Sequence, residues 1–178
     1  MTARSRERGF TLVELMIVVA IVGVLAAVGV FLLNKHMFAS KSVEASAMIQ
    51  SIRAAEERYR AENQTYLDVS TEMNSWYPMD TPGRDKWAWI NDKGNDHDKW
   101  RLLNATAPGP VQFGYAVKAD VAGTTPPPLE TKSQPAWKPS NEPWYLIQAK
   151  ANADGDDDYA YFAASSYSGE IYIENEGE

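Results

Sequence analysis

One uninterrupted apolar run, Phe10 to Leu33, constrains this chain of 178 residues more than any other feature. Glu14 is its only charged residue, and Leu15 to Leu33 holds none. About 20 apolar residues in a row are enough to cross a bilayer as a helix. In front of the run, Met1 to Gly9 carries Arg4, Arg6 and Arg8 against Glu7. Such a bias holds the N-terminus on the cytoplasmic side. The run therefore reads as an anchor with its tail inside and residues 34–178 outside.

Two ordinary explanations of such a run fall short. A secretory signal peptide has an apolar core of about 7–15 residues ending at a small-x-small site. This run is longer, and the Asn34-Lys35-His36-Met37-Phe38 that follows offers no such site. An uncleaved signal anchor explains the length and the arginines but leaves Glu14 without a reason. A lone carboxylate in an apolar helix costs a few kcal/mol and needs a partner or a purpose.

The motif Gly9-Phe10-Thr11-Leu12-Val13-Glu14, followed at once by the apolar run, resembles the N-terminus of prepilins, the precursors of type IV pilins and pseudopilins. The resemblance implies that a membrane aspartyl peptidase cuts between Gly9 and Phe10 and that the new amine of Phe10 is methylated. Glycine suits a cleavage site because, without a Cβ, its backbone can lie close to a protease's catalytic groups. The resemblance also implies that Glu14, four residues after the new amine, pairs with the N-terminus of a neighbouring subunit during assembly. Each charge then solves the other's burial problem. One departure is notable: major pilins often carry a proline about two-thirds of the way along this helix, whereas here Val28-Gly29-Val30-Phe31-Leu32 has none. Gly23 and Gly29 could loosen the helix by roughly 1 kcal/mol each relative to alanine.

From Asn34 to about Asn63 there is neither Pro nor Gly, and the pattern becomes amphipathic. Phe38, Ala45, Met48, Ile52, Ala55 and Tyr59 recur at helical spacing among Lys41, Glu44, Arg53, Glu57 and Arg60. The helix is expected to continue unbroken from the anchor, about 50 residues or roughly 75 Å at 1.5 Å per residue. Its end, Tyr59 to Tyr66, again resembles the family, and the two tyrosines are expected to pack at a sheet edge.

Residues 67–110 read as a connecting region with Trp76, Trp87, Trp89 and Trp100 and a charged stretch from Asn91 to Lys99. Tryptophans there serve as anchors for the loop or as a binding surface; the anchor reading is preferred. Strand-like runs follow at Val111 to Ala119, Trp144 to Ala149, Tyr159 to Ser165 and Ile171 to Glu174, with Ser168-Gly169 as the last turn. A Pro-rich loop, Thr124 to Pro143, separates the first two and is expected to be irregular. The expected fold is α+β: a long N-terminal helix packed on a C-terminal antiparallel sheet of about four strands. Its parts are a leader (1–9), a transmembrane and assembly helix (10–33), an amphipathic half-helix (34–63) and a globular head (64–178).

The formal charge is −7, from 17 Lys and Arg against 24 Asp and Glu, and no cluster of cations lies outside the leader. Phosphate binding needs such a cluster, so a nucleic-acid partner is not indicated. Cysteine is absent, which excludes disulfides, thiolate catalysis and cysteine metal sites. The only histidines, His36 and His97, are too far apart in sequence to suggest a catalytic or metal constellation. Asn152, Asp154, Asp156 and Asp158 place oxygens at alternate positions around Gly155, as in the first half of an EF-hand loop. That spacing suits a calcium ion, and it equally suits a solvated turn between strands. Some pseudopilins use calcium where many pilins have a disulfide, so the resemblance adds to the first reading.

The function expected is a structural subunit of a type IV pilus-like filament, a pilin or minor pilin, and not an enzyme. A type II secretion pseudopilin is the alternative within the same machinery. A membrane-anchored periplasmic enzyme or binding protein is the alternative of another class. Implied partners are homologous pilin subunits, a prepilin peptidase, an inner-membrane assembly platform and membrane lipid. The expected location is the inner membrane before assembly and an extracellular pilus or periplasmic pseudopilus after it.

Overall fold

The structure, a computed structural model, describes residues 10–133, 137–152, 155 and 158–175, with the backbone alone for 31–39. The chain forms two units, residues 1–37 and Phe38–Glu178. The elements are α1 (Leu12–Asn63), α2 (His97–Leu103), β1 (Gly114–Asp120), β2 (Trp144–Ala151), β3 (Ala160–Ser165) and β4 (Ser168–Glu174). In the first unit, Leu12–Val30 has a mean hydropathy of 2.7 and none of it is buried. Length and composition alone make it able to cross a membrane.

In the second unit, α1 buries Ala45, Met48, Ile49, Ile52 and Ala55, the i, i+3, i+4 stripe of a helix lying on a core. The helix stops at Asn63 because Gln64 takes a left-handed φ of 62° and its N–H donates to Arg60 O at 2.8 Å. Such a residue just past the last turn satisfies an orphan carbonyl.

The sheet is fully antiparallel in the order β1-β2-β3-β4. Its register lines up Val117, Ile147, Ala164 and Ile171 across the four strands. These side chains join the stripe of α1 in the main core. Alternate residues face the other way, as strand geometry requires. Trp144, Leu146 and Ala163 form a second cluster with Met73 and Leu129, flanked by Trp137, Tyr167 and Tyr172. Leu129 and Trp137 come from the Pro-rich loop, so that loop covers the second sheet face. It is pinned by Gly123 N to Ser140 O at 2.7 Å and by Trp144 Nε1 to Thr124 Oγ1 at 2.9 Å. Glu174 accepts from Lys132 N and Ser133 N at 2.9 and 3.1 Å.

Several expectations shift. The first strand starts at Gly114, because Val111 is engaged in an isolated two-way bridge to Trp87 instead. The last turn is Ser166-Tyr167, with Ser168 and Gly169 already in β4 beside an irregularity at Ala164 and Ser165. Tyr66 packs edge-on against Tyr145 of the inner strand β2 at 4.7 Å, within the segment whose Ser70 N–H donates to Val117 O of the edge strand β1. Helix α2 falls inside the stretch expected to be connecting chain. Of the four tryptophans there, Trp76, Trp89 and Trp100 are buried anchors, whereas Trp87 is 45% exposed.

Candidate processing and assembly site

The start of α1 is built by two side chains that serve each other. Thr11, just ahead of the helix, accepts the Glu14 N–H on its Oγ1 at 3.2 Å. Glu14 reaches back, its Oε2 accepting the Thr11 N–H at 2.9 Å and the Thr11 hydroxyl at 2.8 Å. This is a capping box: a Thr and a Glu three residues apart satisfy two of the amide donors that a helix start leaves unpaired. The carboxylate also lies at the positive end of the helix dipole. Treating Glu14 only as a charge awaiting another subunit overlooks this local role. The Thr-x-x-Glu spacing is the signal that reveals it.

Only one oxygen of Glu14 is occupied. Among the described residues Oε1 accepts no hydrogen bond, and Glu14 forms no ion pair. Phe10 is 84% exposed, and the apolar residues after it are exposed as well, Leu15 by 59% and Leu25 by 65%. The end of this helix thus presents, on an uncovered apolar rod, one carboxylate with an acceptor oxygen to spare. Gly9 lies outside the described residues.

The acidic loop is only partly described, since Asp154 and Asp156 lie outside the described residues. Asn152 Oδ1 accepts the Gly155 N–H at 2.6 Å, and Gly155 has a φ of +86° that favours glycine. Asp158 is paired with Lys132 Nζ at 3.1 Å. Among the described residues no three metal-ligating side chains gather. Asn152 and Asp158 are hard oxygen donors of the kind calcium takes, and both are in use within the chain. His97 sits on α2 with its ring 6.3 Å from that of Tyr77, in packing rather than in a ligand set.

The profile of the prokaryotic N-terminal methylation motif matches residues 4–30, which span the arginines, Gly9, Phe10, Glu14 and most of the apolar run. Over 68 residues the chain is 41% identical to the type IV major pilin protein PilA of Myxococcus xanthus, covering 38% of this chain and 31% of that one. The chain thus spans about a third of the length of that relative. It is 40% identical over 50 residues to a type IV major fimbrial protein FimA of Dichelobacter nodosus, or 28% of this chain and 31% of the relative. The similarity to the type II secretion system core protein G of Pseudomonas aeruginosa reaches into the head: 38% over 124 residues, 66% of this chain and 87% of that protein. No solved structure matches the chain. Motif, anchor, helix-on-sheet head and the extent of these similarities together mean that the chain belongs to the type IV pilin and pseudopilin family.

Proposed function

We propose that this chain is a structural subunit of a type IV pilus-like filament, cut between Gly9 and Phe10, methylated on the Phe10 amine and polymerised from the inner membrane. The observation that carries the reading is the Glu14 carboxylate, held by Thr11 through one oxygen and open at the other. Cleavage after Gly9 would create an amine about one helical turn from Glu14. In a packed assembly, that amine and the carboxylate of a neighbouring copy would share one low-dielectric site. Paired charges tolerate burial there where single ones do not. Opposing helices then cover the apolar surface of Leu12–Val30, which this chain alone leaves exposed. The partners are further pilin subunits, the peptidase and an inner-membrane platform. The arginines of the leader keep the N-terminus on the cytoplasmic side until cleavage.

A second reading within the same machinery, a type II secretion pseudopilin, is favoured by the extent of the similarity to core protein G, 87% of its length against 31% of the pilin relatives. The lack of a proline in the apolar run points the same way. The reading extends to a calcium ion at Asn152, Asp154, Asp156 and Asp158, supported by the oxygen chemistry of those donors. An ion there would offset the mutual repulsion of the loop's carboxylates.

The deciding experiment is the mass and N-terminal sequence of the chain recovered from a host with an active prepilin peptidase. A chain starting at N-methylated Phe10 is expected. A chain still starting at Met1 would leave a tethered protein and remove the filament reading. Shearing the cells separates the two machines: a pilin leaves with surface filaments, whereas a pseudopilin stays with the envelope.

A further inference from the structure

Glu56 is fully buried in the stripe of α1 that faces the sheet, where a carboxylate is the least expected side chain. Its Oε2 accepts the Leu67 N–H at 2.9 Å, which ties the chain reversal after α1 back onto the helix. Its Oε1 is equally buried and has no hydrogen-bond partner. Among the described residues no cation forms an ion pair with it. On its own helix, the two terminal nitrogens of Arg53 donate to backbone carbonyls from Ser165 to Glu170 while its buried Nε has no partner, and Glu57 accepts the Tyr66 hydroxyl at 2.9 Å. From the reversal come Tyr66 and Asp68, the latter paired with Lys118 at 2.7 Å. From β2 comes Tyr145, itself buried. An ionised carboxylate with one amide donor and no cation, buried among apolar groups, is strongly disfavoured.

We propose that Glu56 is a proton-operated latch: as a neutral acid it holds the reversal at residues 64–70 against α1, and the reversal opens with release of that proton to solvent. Burial pushes the Glu56 carboxyl up to about 8, the Leu67 N–H opposes this, and the charges of Glu57 and Asp68 add to it. The direction of the effect follows. A carboxyl raised above its unfolded value of 4.5 contributes stability that is complete below 4.5 and lost progressively as pH rises to about 8. Across that window each pH unit favours the open, ionised segment by about tenfold, and above it the dependence levels off. The segment also carries Ser70, whose N–H donates to Val117 O at 2.8 Å, so opening uncovers the edge of β1. The head would thereby respond to the acidity outside the cytoplasm.

The test is amide hydrogen exchange on the full chain in detergent micelles at pH 5.5 and 7.5, corrected for the intrinsic pH dependence of exchange. Protection at Leu67 and Ser70, relative to Ile147 in β2, is expected to fall by about a hundredfold between the two conditions. In Glu56→Gln the ratio is expected to stay constant. An unchanged ratio in the wild type, or the same fall in the variant, overturns the latch. Should Glu56→Gln fail to fold, infrared spectroscopy of the wild type decides instead. A carboxylic-acid carbonyl band present at pH 6.5 and titrating away near pH 8 supports the proposal, and its absence overturns it.

Discussion

The Arg53 guanidinium on α1 donates to the carbonyl oxygen of Gly169 in β4 at 2.8 Å, across 116 positions of sequence. The same group reaches the carbonyls of Ser168 at 3.1 Å and Glu170 at 2.8 Å. One planar fork on the helix thus gathers the backbone of the irregular β3–β4 connection. Arg53→Ala is expected to lower the unfolding free energy by about 2 kcal/mol, because hydrogen bonds from a charged donor are worth about 1.5–3 kcal/mol and water replaces part of them here. Arg53→Lys should recover less than half, since an ammonium cannot reproduce the fork. The urea midpoint of the full chain in micelles measures both. An alanine variant within about 0.5 kcal/mol of wild type would mean that the connection holds its shape unaided.

That connection also shows where the sequence is and is not legible. The apolar run, the stripe of Ala45, Met48, Ile52 and Ala55, and the β-branched and aromatic strand residues carry their own periodicity. The anchor, the helix and four strands could therefore be expected from pattern alone. Helix α2 could not. It has seven residues between left-handed Asp96 and Asn104, too short to nucleate by itself, and it is held by Trp100 and Leu103 in the core. The Pro-rich loop reads as irregular, and its task of covering the second sheet face depends on contacts far apart in sequence. Glu56 sits at a core position that its residue type argues against. Arg53 reads from the sequence as one of the charges between apolar positions, and only the fold shows what it holds. At the candidate site, Gly9, Phe10 and Glu14 stand out in the sequence, whereas the mutual capping of Thr11 and Glu14 needed the Thr-x-x-Glu spacing to be read as well.

The tryptophans of the connecting region should separate cleanly by stability. Trp100 is 2% exposed, stacked on Tyr77 at 5.2 Å and edge-on to Trp89 at 5.3 Å. Trp100→Ala leaves a large cavity in that nest and is expected to cost about 3–5 kcal/mol. Trp87 contributes its backbone to the bridge with Val111, which alanine would keep, and much of its ring is exposed. Trp87→Ala should cost less than about 1 kcal/mol. Guanidinium midpoints of the two variants report the difference, and equal losses would show that the exposed ring is covered in the folded subunit.

Calcium at the acidic loop must compete with a resident cation, because Lys132 Nζ lies 3.1 Å from Asp158 Oδ1. If the ion binds the folded chain as proposed, calcium raises the melting temperature of the full chain, and Lys132→Ala enlarges that rise by freeing the carboxylate. An ion at about a hundred times its Kd would add roughly 2.7 kcal/mol of stability. Asp158→Asn should shrink the response. No shift at millimolar calcium in either the wild type or Lys132→Ala removes the ion from the account.

Glu14 has two candidate duties, capping its own helix and pairing with another subunit's amine, and two substitutions part them. Glu14→Gln removes the charge but keeps a carbonyl oxygen able to accept from the Thr11 N–H. Glu14→Ala removes both and leaves the Thr11 N–H without its acceptor. Both variants should still be cut after Gly9, since the peptide bond there is untouched. If the charge is what assembly requires, both should be nearly absent from filaments formed beside wild-type subunits, because the neighbouring amine is left buried and unpaired. If capping is the requirement, Gln enters filaments almost as wild type does and only Ala is excluded. Quantifying tagged variant against wild type in sheared or detergent-resistant filaments gives the answer, and normal incorporation of both would end the assembly role assigned to Glu14.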